Sequence, residues 1–600
     1  MTKIEKDIRG FTKAKQVGRA DFLPVSQDDM RARGWDELDV LLISGDAYVD
    51  HPSFGVALLG RWLDFHGFRV GLIAQPSWRG LEDITRLGRP RLFAGVTAGA
   101  LDSMLAHYTA FRKKRRDDAY TPGGQAGARP NRAVSVYVSL ARQAFPGLPI
   151  IGGGIEASLR RISHYDFWSD SLRKSLLADA KLDLIVYGMG ERAILEIARR
   201  LDRLTQQNSG QNKSDPQKNG EEIQRVLRGI PGTAGLYFAR EIDALRQSGE
   251  DLLELPGHQA ILEKPARLVE ATLLLERQVH QLRQKAIQLV DQRYVVLEPP
   301  ALPLNTAEMD LLYSLPYTRL AHPEYEEPIP AVEMMLTSLT CHRGCGGGCS
   351  FCSLALHQGR RISSRSWESL LAEAEGLVRS PGFSGSISDV GGPSANMWEA
   401  CCTLDPGHCM RASCMMPTIC PGFSVDQTRH IELLRAIRHL PGIKHVRTAS
   451  GVRFDLALTQ RAALEAYAGE FTGGQLKIAP EHCSARVLKL MRKPPIKIFE
   501  AFLQAFTRYS KEHNKEQYVV PYLMSAFPGC TNAHMRELAD WLRNRNWRPR
   551  QVQCFVPTPG TLATAMFFSE TDPTGQPLPV AKTDAERMWQ HRILTGPVKS

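Results

Sequence analysis

Short apolar runs alternate with amphipathic stretches through the first third of the chain. These runs occupy 38–44, 68–74, 92–96, 149–151 and 182–187. Between the first two runs, Val56, Leu59 and Leu63 recur at the spacing of one helix face. Buried strands that alternate with helices are typical of a parallel, doubly wound sheet. We therefore predict a Rossmann-like α/β domain over residues 1–204.

The pattern weakens after residue 204. The stretch 205–222 is polar and has no apolar anchors, which is typical of a flexible surface insertion. Residues around 258–290 favour helix, and the proline-rich stretch 299–330 favours irregular structure. We therefore predict a polar insertion followed by a helical and irregular connector over 205–330.

A second strand–helix series begins near residue 331. Its strand-like runs occupy 332–338, 384–390, 446–450, 475–479, 518–524 and 552–556. Between the first two, 366–380 has the apolar spacing of a helix. This repetition predicts a partial (β/α) barrel over 331–568 and a C-terminal tail over 569–600. In such barrels the functional residues lie at the carboxyl ends of the strands.

Composition narrows the class of protein. Hydrophobic residues make up 43% and charged residues 23% of the 600 positions, as in ordinary soluble proteins. The first residues lack the apolar core of a signal peptide, and no run approaches the length of a membrane span, so we expect a cytoplasmic protein without membrane contact. The net charge of +11 leaves nucleic acid open as a partner. The basic run at 112–116 is equally typical of a solvated loop.

Cysteines carry the clearest chemical signal. There are 12 in the chain, too few for a disulfide scaffold, and nine of them fall between 341 and 420, which indicates metal chemistry in a reducing compartment. Cys345, Cys349 and Cys352 have the spacing C-x3-C-x2-C. Three thiolates can hold one iron–sulfur cluster and leave one iron open to a substrate or cofactor. Zinc is the competing metal, although its usual signatures are paired C-x2-C units or Cys/His sets.

The chain resembles the radical S-adenosylmethionine (SAM) superfamily, and within it the YgiQ family. The resemblance rests on the three-cysteine loop with Phe351 before its last cysteine, and on the turn 389–392, which is similar to the GGE-type turn of that superfamily although position 393 is proline. Further segments that carry it are 45–55, 152–158, 476–482, 515–518, 526–531 and 557–561. Members of the family usually extend beyond the length of this chain.

The resemblance implies a set of cofactors. A [4Fe–4S] cluster on Cys345, Cys349 and Cys352 would bind SAM at its open iron and receive an electron from a donor such as flavodoxin or ferredoxin. The residues expected at the cofactor, by motif or by position at strand ends, are Phe351, Gly391, Gly392, Ser450, Arg453 and Glu481. Two of these have structural alternatives: Arg453 as a surface ion pair, and Glu481 as an acid at a helix N-terminus.

A second cysteine group lies in the proline-rich insert 398–424. Cys402, Cys409, Cys414 and Cys420 offer four ligands to an auxiliary iron–sulfur cluster or a structural zinc. The insert has little apolar material, and a metal could supply its stability. The alternative is four free thiols in a reducing compartment.

The N-terminal domain is similar to cobalamin-binding domains. The glycine turns 152–154 and 188–191 follow strands, as in those domains. The ligand motif D-x-H-x-x-G is not matched, because Asp50 and His51 are adjacent and Gly55 is four residues further on. This argues against cobalamin bound through His51.

Three functional classes follow from these patterns. The leading interpretation is a radical SAM enzyme that generates a 5′-deoxyadenosyl radical on a substrate that the motifs do not identify. The second is a nucleic-acid-binding or RNA-modifying protein, since 526–531 and 557–561 resemble strand ends of methylthiotransferases. The third is a non-catalytic protein stabilised by metal.

Overall fold

The computed structural model describes residues 18–208, 216–380, 382–549 and 552–596. Residues 209–215 of the predicted polar insertion therefore lie outside the described residues. The helix Glu191–Asn208 ends just before that gap, and the helix Pro216–Val226 begins just after it.

A nine-stranded sheet organises the N-terminal half. In chain order, the strands of this half are β1 (Val40–Ser44), β2 (Val70–Ala74), β3 (Phe93–Thr97), β4 (Ile150–Gly152), β5 (His164–Asp166), β6 (Ser171–Arg173), β7 (Leu184–Val186), β8 (Thr233–Phe238), β9 (Leu252–Leu255), β10 (Lys285–Val290) and β11 (Arg293–Leu297). The sheet order is β2-β1-β3-β4-β7-β8-β11-β10-β9, and β5 and β6 form a separate hairpin. The first five strands in that order are parallel, as predicted.

The strands alternate their side chains between two apolar layers, as a sheet covered on both faces requires. Leu41 and Ile43 of β1 belong to one buried cluster, and Val40 and Leu42 belong to the other. The helices of this half are Gln27–Ala32, Gly55–Phe65, Glu82–Thr85, Ser103–His107, Ala133–Ala144, Gly154–Leu159, Leu176–Asp179, Glu191–Asn208, Pro216–Val226, Ala239–Gln247, His258–Glu263, Arg267–Gln281 and Thr306–Ser314. The predicted α/β class is confirmed.

The segment expected to be a connector contributes four strands to this sheet. β8 to β11 pair in antiparallel fashion except for the parallel pair β10–β9, so the sheet is mixed beyond β7. The helix expected through residue 290 ends at Gln281. It gives way to a hairpin that turns at Asp291, a residue with φ of 54°. The domain boundaries at 204, 330 and 568 stay predictions.

The C-terminal half is a series of short strands with helices between them, and two of its strand pairs, at 342–343 with 363–364 and at 401–402 with 423–424, are antiparallel. Its strands are β12 (Ser338–Thr340), β13 (His342–Arg343), β14 (Ser363–Ser364), β15 (Ser386–Ile387), β16 (Asp389–Gly391), β17 (Cys401–Cys402), β18 (Phe423–Ser424), β19 (His445–Val446), β20 (Gln475–Glu481), β21 (Tyr518–Ser525) and β22 (Val552–Cys554). Parallel pairs join β12 to β16, β15 to β19, and β20 to β21 to β22. This is the strand order of an incomplete (β/α) barrel.

Helices cover the outside of this arc. They are Pro330–Met335, Leu354–His357, Trp367–Val378, Gln427–His439, Phe454–Ala457, Arg461–Ala466, Ala485–Met491, Ile496–Glu512, Asn532–Arg543, Leu562–Ser569 and Asp584–Thr595. Trp367–Val378 is the helix predicted at 366–380, and the Ser366 side chain caps it by accepting from the Ser369 N–H. One buried cluster includes residues of both halves, such as Tyr165 and Phe567. Among the described residues, no helix is long and apolar enough to cross a membrane.

Candidate functional site

The three-cysteine loop follows β13 and is held by backbone hydrogen bonds at both ends. The Cys345 N–H donates to the Gly359 carbonyl at 3.1 Å, and the Cys352 N–H donates to the Cys349 carbonyl at 3.1 Å. In the middle of the loop, Ser350 donates through its hydroxyl to the Leu490 carbonyl at 2.7 Å. The loop is therefore fixed against the helix Ala485–Met491 before any metal binds.

A small space beside Gly347 is shared by two sulfurs and a guanidinium. A side chain at Gly347 would place its Cβ 2.8 Å from Nη1 of Arg453, 3.3 Å from Sγ of Cys345 and 3.8 Å from Sγ of Cys349. The neighbouring Gly348 has φ of 61°, and a Cβ there would lie 2.4 Å from the Ala412 carbonyl oxygen. The glycines thus allow the loop to bring both sulfurs and Arg453 to the same space.

The surroundings of Cys345 and Cys352 favour the neutral thiol over the charged thiolate. Burial raises the pKa of the Cys345 thiol, and the Arg453 guanidinium is the strongest influence in the opposite direction. Burial and the neighbouring Cys349 raise the pKa of Cys352 to about 12. Metal coordination requires the thiolate, so cationic charge has to be supplied at this loop.

No three His, Cys, Asp or Glu side chains within the described residues are placed around a single metal ion. A [4Fe–4S] cluster does not require its thiolates to surround one ion, because they bind separate irons at separate corners of the cluster. The three-cysteine loop, with its glycine-lined space and its guanidinium, fits such a cluster.

Arg453 faces this loop as part of a buried ion pair. It begins the turn into the helix Phe454–Ala457 and pairs with Asp455 through hydrogen bonds of 2.9 Å and 2.6 Å. The two side chains are only 11% and 8% exposed, so this ion pair is buried and is not the surface ion pair considered as an alternative. The pairing keeps a positive charge oriented in an apolar setting.

Glu481 ends β20 as a buried carboxylate with one cation near it. Its Oε1 lies 3.8 Å from Nζ of Lys493. Burial raises the pKa of Glu481, and Lys493 opposes this effect. Glu481 has φ of 70°, which is a strained conformation for a residue other than glycine and is typical of functional sites.

The predicted glycine turn at the end of β16 is tightly enclosed. A Cβ at Gly391 would lie 2.3 Å from Oγ of Ser450, and a Cβ at Gly392 would lie 2.7 Å from the His342 carbonyl oxygen. The Gly391 carbonyl already accepts from the Cys341 N–H at 2.7 Å. The Gly391 carbonyl is therefore engaged within the protein.

Ser450 is engaged within the protein. Its N–H and hydroxyl both donate to Oδ1 of Asp389, at 2.9 Å and 3.1 Å. Burial raises the pKa of Asp389 to about 6 despite these hydrogen bonds. Phe351, also expected at the cofactor, packs edge-to-face on Phe527 with ring centroids 6.3 Å apart.

The insert packs directly on the three-cysteine loop. The Cys414 N–H donates to the Gly346 carbonyl at 2.9 Å, and the Cys420 N–H donates to the Cys414 carbonyl at 2.7 Å. Burial raises the pKa of Cys414 to about 11, and the other three predicted ligands, Cys402, Cys409 and Cys420, contribute to the rise. Cys402, Cys409 and Cys420 therefore each lie within electrostatic range of Cys414.

Two charged residues of the candidate site were missed by sequence reasoning. Asp455 stands two positions after Arg453, a spacing that permits an ion pair across a helix start. Lys493 comes from a different helix end, and no local signal connects it with Glu481. His51, expected in a loop, is buried with its Nδ1 accepting from the Ser53 N–H at 3.1 Å.

Residues 22–338 match the family model described as Radical SAM N-terminal. The chain is 48% identical over 577 residues to a UPF0313 protein of Geobacter sulfurreducens, covering 96% of this chain and 92% of the relative. It is 44% identical over 617 residues to a UPF0313 protein of Methanosarcina acetivorans, covering 99% and 80%.

Among solved structures, the radical S-adenosylmethionine methyltransferase TsrM from Kitasatospora setae, with cobalamin and a [4Fe–4S] cluster bound, aligns at 15% identity and a TM-score of 0.46, over 88% of this chain and 76% of that chain. The family is established by the sequence matches. More than half of the chain fits the family model and nearly all of it aligns with these relatives, so the chain belongs to the UPF0313 (YgiQ) family of the radical SAM superfamily and is a radical SAM enzyme.

Proposed function

We propose that Cys345, Cys349 and Cys352 bind a [4Fe–4S] cluster and leave one iron open for SAM. The observation that carries this proposal is the space beside Gly347, which two of the sulfurs and the Arg453 guanidinium share. Such a cluster, when bound, would supply one-electron reduction of the SAM sulfonium with an electron from a donor such as flavodoxin or ferredoxin, and cleavage of the C–S bond would yield methionine and a 5′-deoxyadenosyl radical.

The protein's own residues would bind and orient the cofactor. Arg453 presents a planar fork suited to the methionine carboxylate, and Asp455 holds that fork in place. Glu481 would accept hydrogen bonds from the ribose hydroxyls, with Lys493 favouring the charged form of the carboxylate against the effect of burial. The Gly392 carbonyl would receive the amino group.

The test is anaerobic reconstitution followed by measurement of cluster absorbance and 5′-deoxyadenosine. Cys349→Ala should lose both signals, whereas Cys554→Ala, a substitution of a buried cysteine at the end of β22, should keep both. Full absorbance and product formation by Cys349→Ala would overturn the assignment. Product formation by neither the wild type nor the control would contradict SAM cleavage while leaving the cluster to be judged by absorbance.

We also propose a second metal site on Cys402, Cys409, Cys414 and Cys420. It is supported by the influence of the other three thiols on Cys414 and by the hydrogen bond that attaches Cys414 to the three-cysteine loop. Four thiolates suit either an iron–sulfur cluster or a structural zinc. A zinc would require the four sulfurs to close around one ion, an arrangement that the described residues do not have in this structure.

Metal analysis separates these cases. Cys409→Ser should lose about four irons or about one zinc per chain, the usual content of such sites. Cys401→Ser is the matched control, since Cys401 is an exposed cysteine of the same insert that is not one of the four. Equal metal content in Cys409→Ser and Cys401→Ser would contradict the second site.

A further inference from the structure

A cavity of about 240 Å³ lies between the helix Arg267–Gln281, the three-cysteine loop and the insert. Cys349 and Cys352 form part of its wall, and Cys409 faces it from the insert. Of the described residues that line it, none is a residue proposed above to bind SAM. The cavity is therefore a second space beside the same loop.

The charge of this cavity is unbalanced. Besides the thiols of Cys349, Cys352 and Cys409, its wall carries four arginines and one carboxylate, Glu276, and that carboxylate already pairs with Arg492 at 2.9 Å. The Arg411 guanidinium donates hydrogen bonds to backbone carbonyls of the insert, including that of Met416 at 3.0 Å. Arg277 and Arg360 remain, and within the described residues neither has a carboxylate at ion-pair distance.

The unpartnered groups are deeply buried. Arg360 is 9% exposed and its Nη1 has no hydrogen-bond partner, and Nε of Arg277 is buried without one. His280 is 5% exposed, and neither of its ring nitrogens has a partner. Burial, with Arg360 and Arg361 nearby, lowers the pKa of His280 to about 3, so the ring is neutral and able both to donate and to accept. Buried guanidinium groups without an anion are unfavourable, and a bound anion would remove that penalty.

A smaller cavity of about 50 Å³ adjoins the first and shares His280, Arg360, Val279 and Leu356 with it. It reaches Gly188 and Met189, in the turn that follows β7. That turn lies at the carboxyl edge of the sheet, where α/β proteins bind ligands. The basic groups are thus continuous with an edge that the fold makes suitable for binding.

We propose that these adjoining cavities bind a small organic anion whose phosphate or carboxylate group pairs with Arg277 and Arg360. Guanidinium forks recognise both oxyanions. The apolar part of the ligand would contact Leu273, Leu274 and Leu356, which also line the larger cavity. This inference goes beyond the proposed function, because it requires no cleavage of SAM.

Phenyl phosphate is a suitable probe because it joins an oxyanion to an apolar ring. Anaerobic calorimetry on the full, cluster-loaded chain should show saturable binding of phenyl phosphate, weaker binding of inorganic phosphate and no binding of phenol. Arg360→Gln and Arg277→Gln should each weaken phenyl phosphate binding at least about tenfold. Arg267→Gln is the matched control, because Arg267 is an exposed arginine at the start of the same helix.

Three outcomes would overturn the proposal. The first is no binding of phenyl phosphate by the wild type at millimolar concentration, and the second is equal weakening in all three variants. The third is a change in cluster absorbance of Arg360→Gln with unchanged anion affinity, which would mean that Arg360 only balances the charge of the Cys409 and Cys414 thiolates. A parallel assay of 5′-deoxyadenosine keeps failure of the radical chemistry distinguishable from failure of anion binding.

Discussion

Replacement of Arg453 tests whether its charge is what prepares the cysteine loop for metal. Nη1 of Arg453 and Sγ of Cys345 lie 2.8 Å and 3.3 Å from one point beside Gly347, so they are no more than about 6 Å apart. At an effective dielectric constant of about 20, a unit charge at that distance stabilises a thiolate by about 3 kcal/mol. Arg453→Gln should therefore lower the thiolate population of Cys345 in the metal-free protein by roughly a hundredfold.

The rate of reaction with a small disulfide reports this change. Because a thiolate of higher pKa is intrinsically more nucleophilic, with a Brønsted slope of about 0.4–0.5, the rate should fall only roughly tenfold. Fragment-ion mass spectrometry can assign the modified position to Cys345. Asp455→Asn should act in the opposite direction, because it removes the anion that partly neutralises Arg453.

A control and a check of folding complete the experiment. Arg429→Gln removes an exposed guanidinium that pairs with Glu399, and it should leave the rate unchanged. Arg453→Gln leaves Asp455 buried without its ion-pair partner, at a cost of about 3–5 kcal/mol, so circular dichroism must show that the fold persists. If Arg453→Gln and Asp455→Asn shift the rate in the same direction, or by less than about twofold, the electrostatic explanation is refuted.

Three further substitutions should change the thermal stability in different ways. Glu373 pairs with two arginines, which lower its pKa to about 2. Its ionised form therefore stabilises the fold by about 3 kcal/mol above the unfolded pKa of 4.5, and this stabilisation is lost as the pH falls through 2, so Glu373→Gln should lower the apparent Tm at pH 7 much more than at pH 2.5. Burial raises the pKa of Asp389 from 3.8 to about 6, so its ionised form destabilises the fold by up to about 3 kcal/mol above pH 6 and has no such effect below pH 3.8. Asp389→Asn should therefore raise the apparent Tm at pH 7.5 and leave it unchanged at pH 3.5. Gly392→Ala places a Cβ 2.7 Å from the His342 carbonyl oxygen, so it should lower the apparent Tm and 5′-deoxyadenosine formation, whereas Gly474→Ala, with nothing within 4 Å, should change neither. Equal effects of the two alanine substitutions would contradict the reasoning for Gly392.

The features that sequence predicted best are those set by neighbouring residues. The loop at Cys345 to Cys352 could be located because its spacing, its glycines and the strand before it all lie within a few positions. The capped helix Trp367–Val378 could be located for the same reason. Strand and helix periodicity also predicted the parallel part of the N-terminal sheet, where each apolar run is bounded by turns.

The features that sequence missed depend on contacts between distant positions. Lys493 approaches Glu481 only because the helix Ala485–Met491 returns to the end of β20, and no local pattern encodes that return. Strands β8 to β11 were missed because the segment 205–330 was interpreted from its polar stretch at 205–222, its helix-like stretch at 258–290 and its prolines at 299–330. Their hydrophobic alternation becomes meaningful only once β8 pairs with β7 and extends an existing sheet.

The charges around the three-cysteine loop explain why metal and protein would stabilise each other there. With all groups ionised, three thiolates, Asp455 and Glu481 face Arg453 and Lys493, which leaves an excess of negative charge in a buried region. The raised pKa values of Cys345 and Cys352 show how the metal-free protein avoids this excess: the thiols stay protonated. Iron would supply the missing positive charge, so cluster binding would release protons and be favoured by rising pH. Arg453 offsets only part of the thiolate charge, so the thiols of the proposed site would ionise fully only on binding a metal.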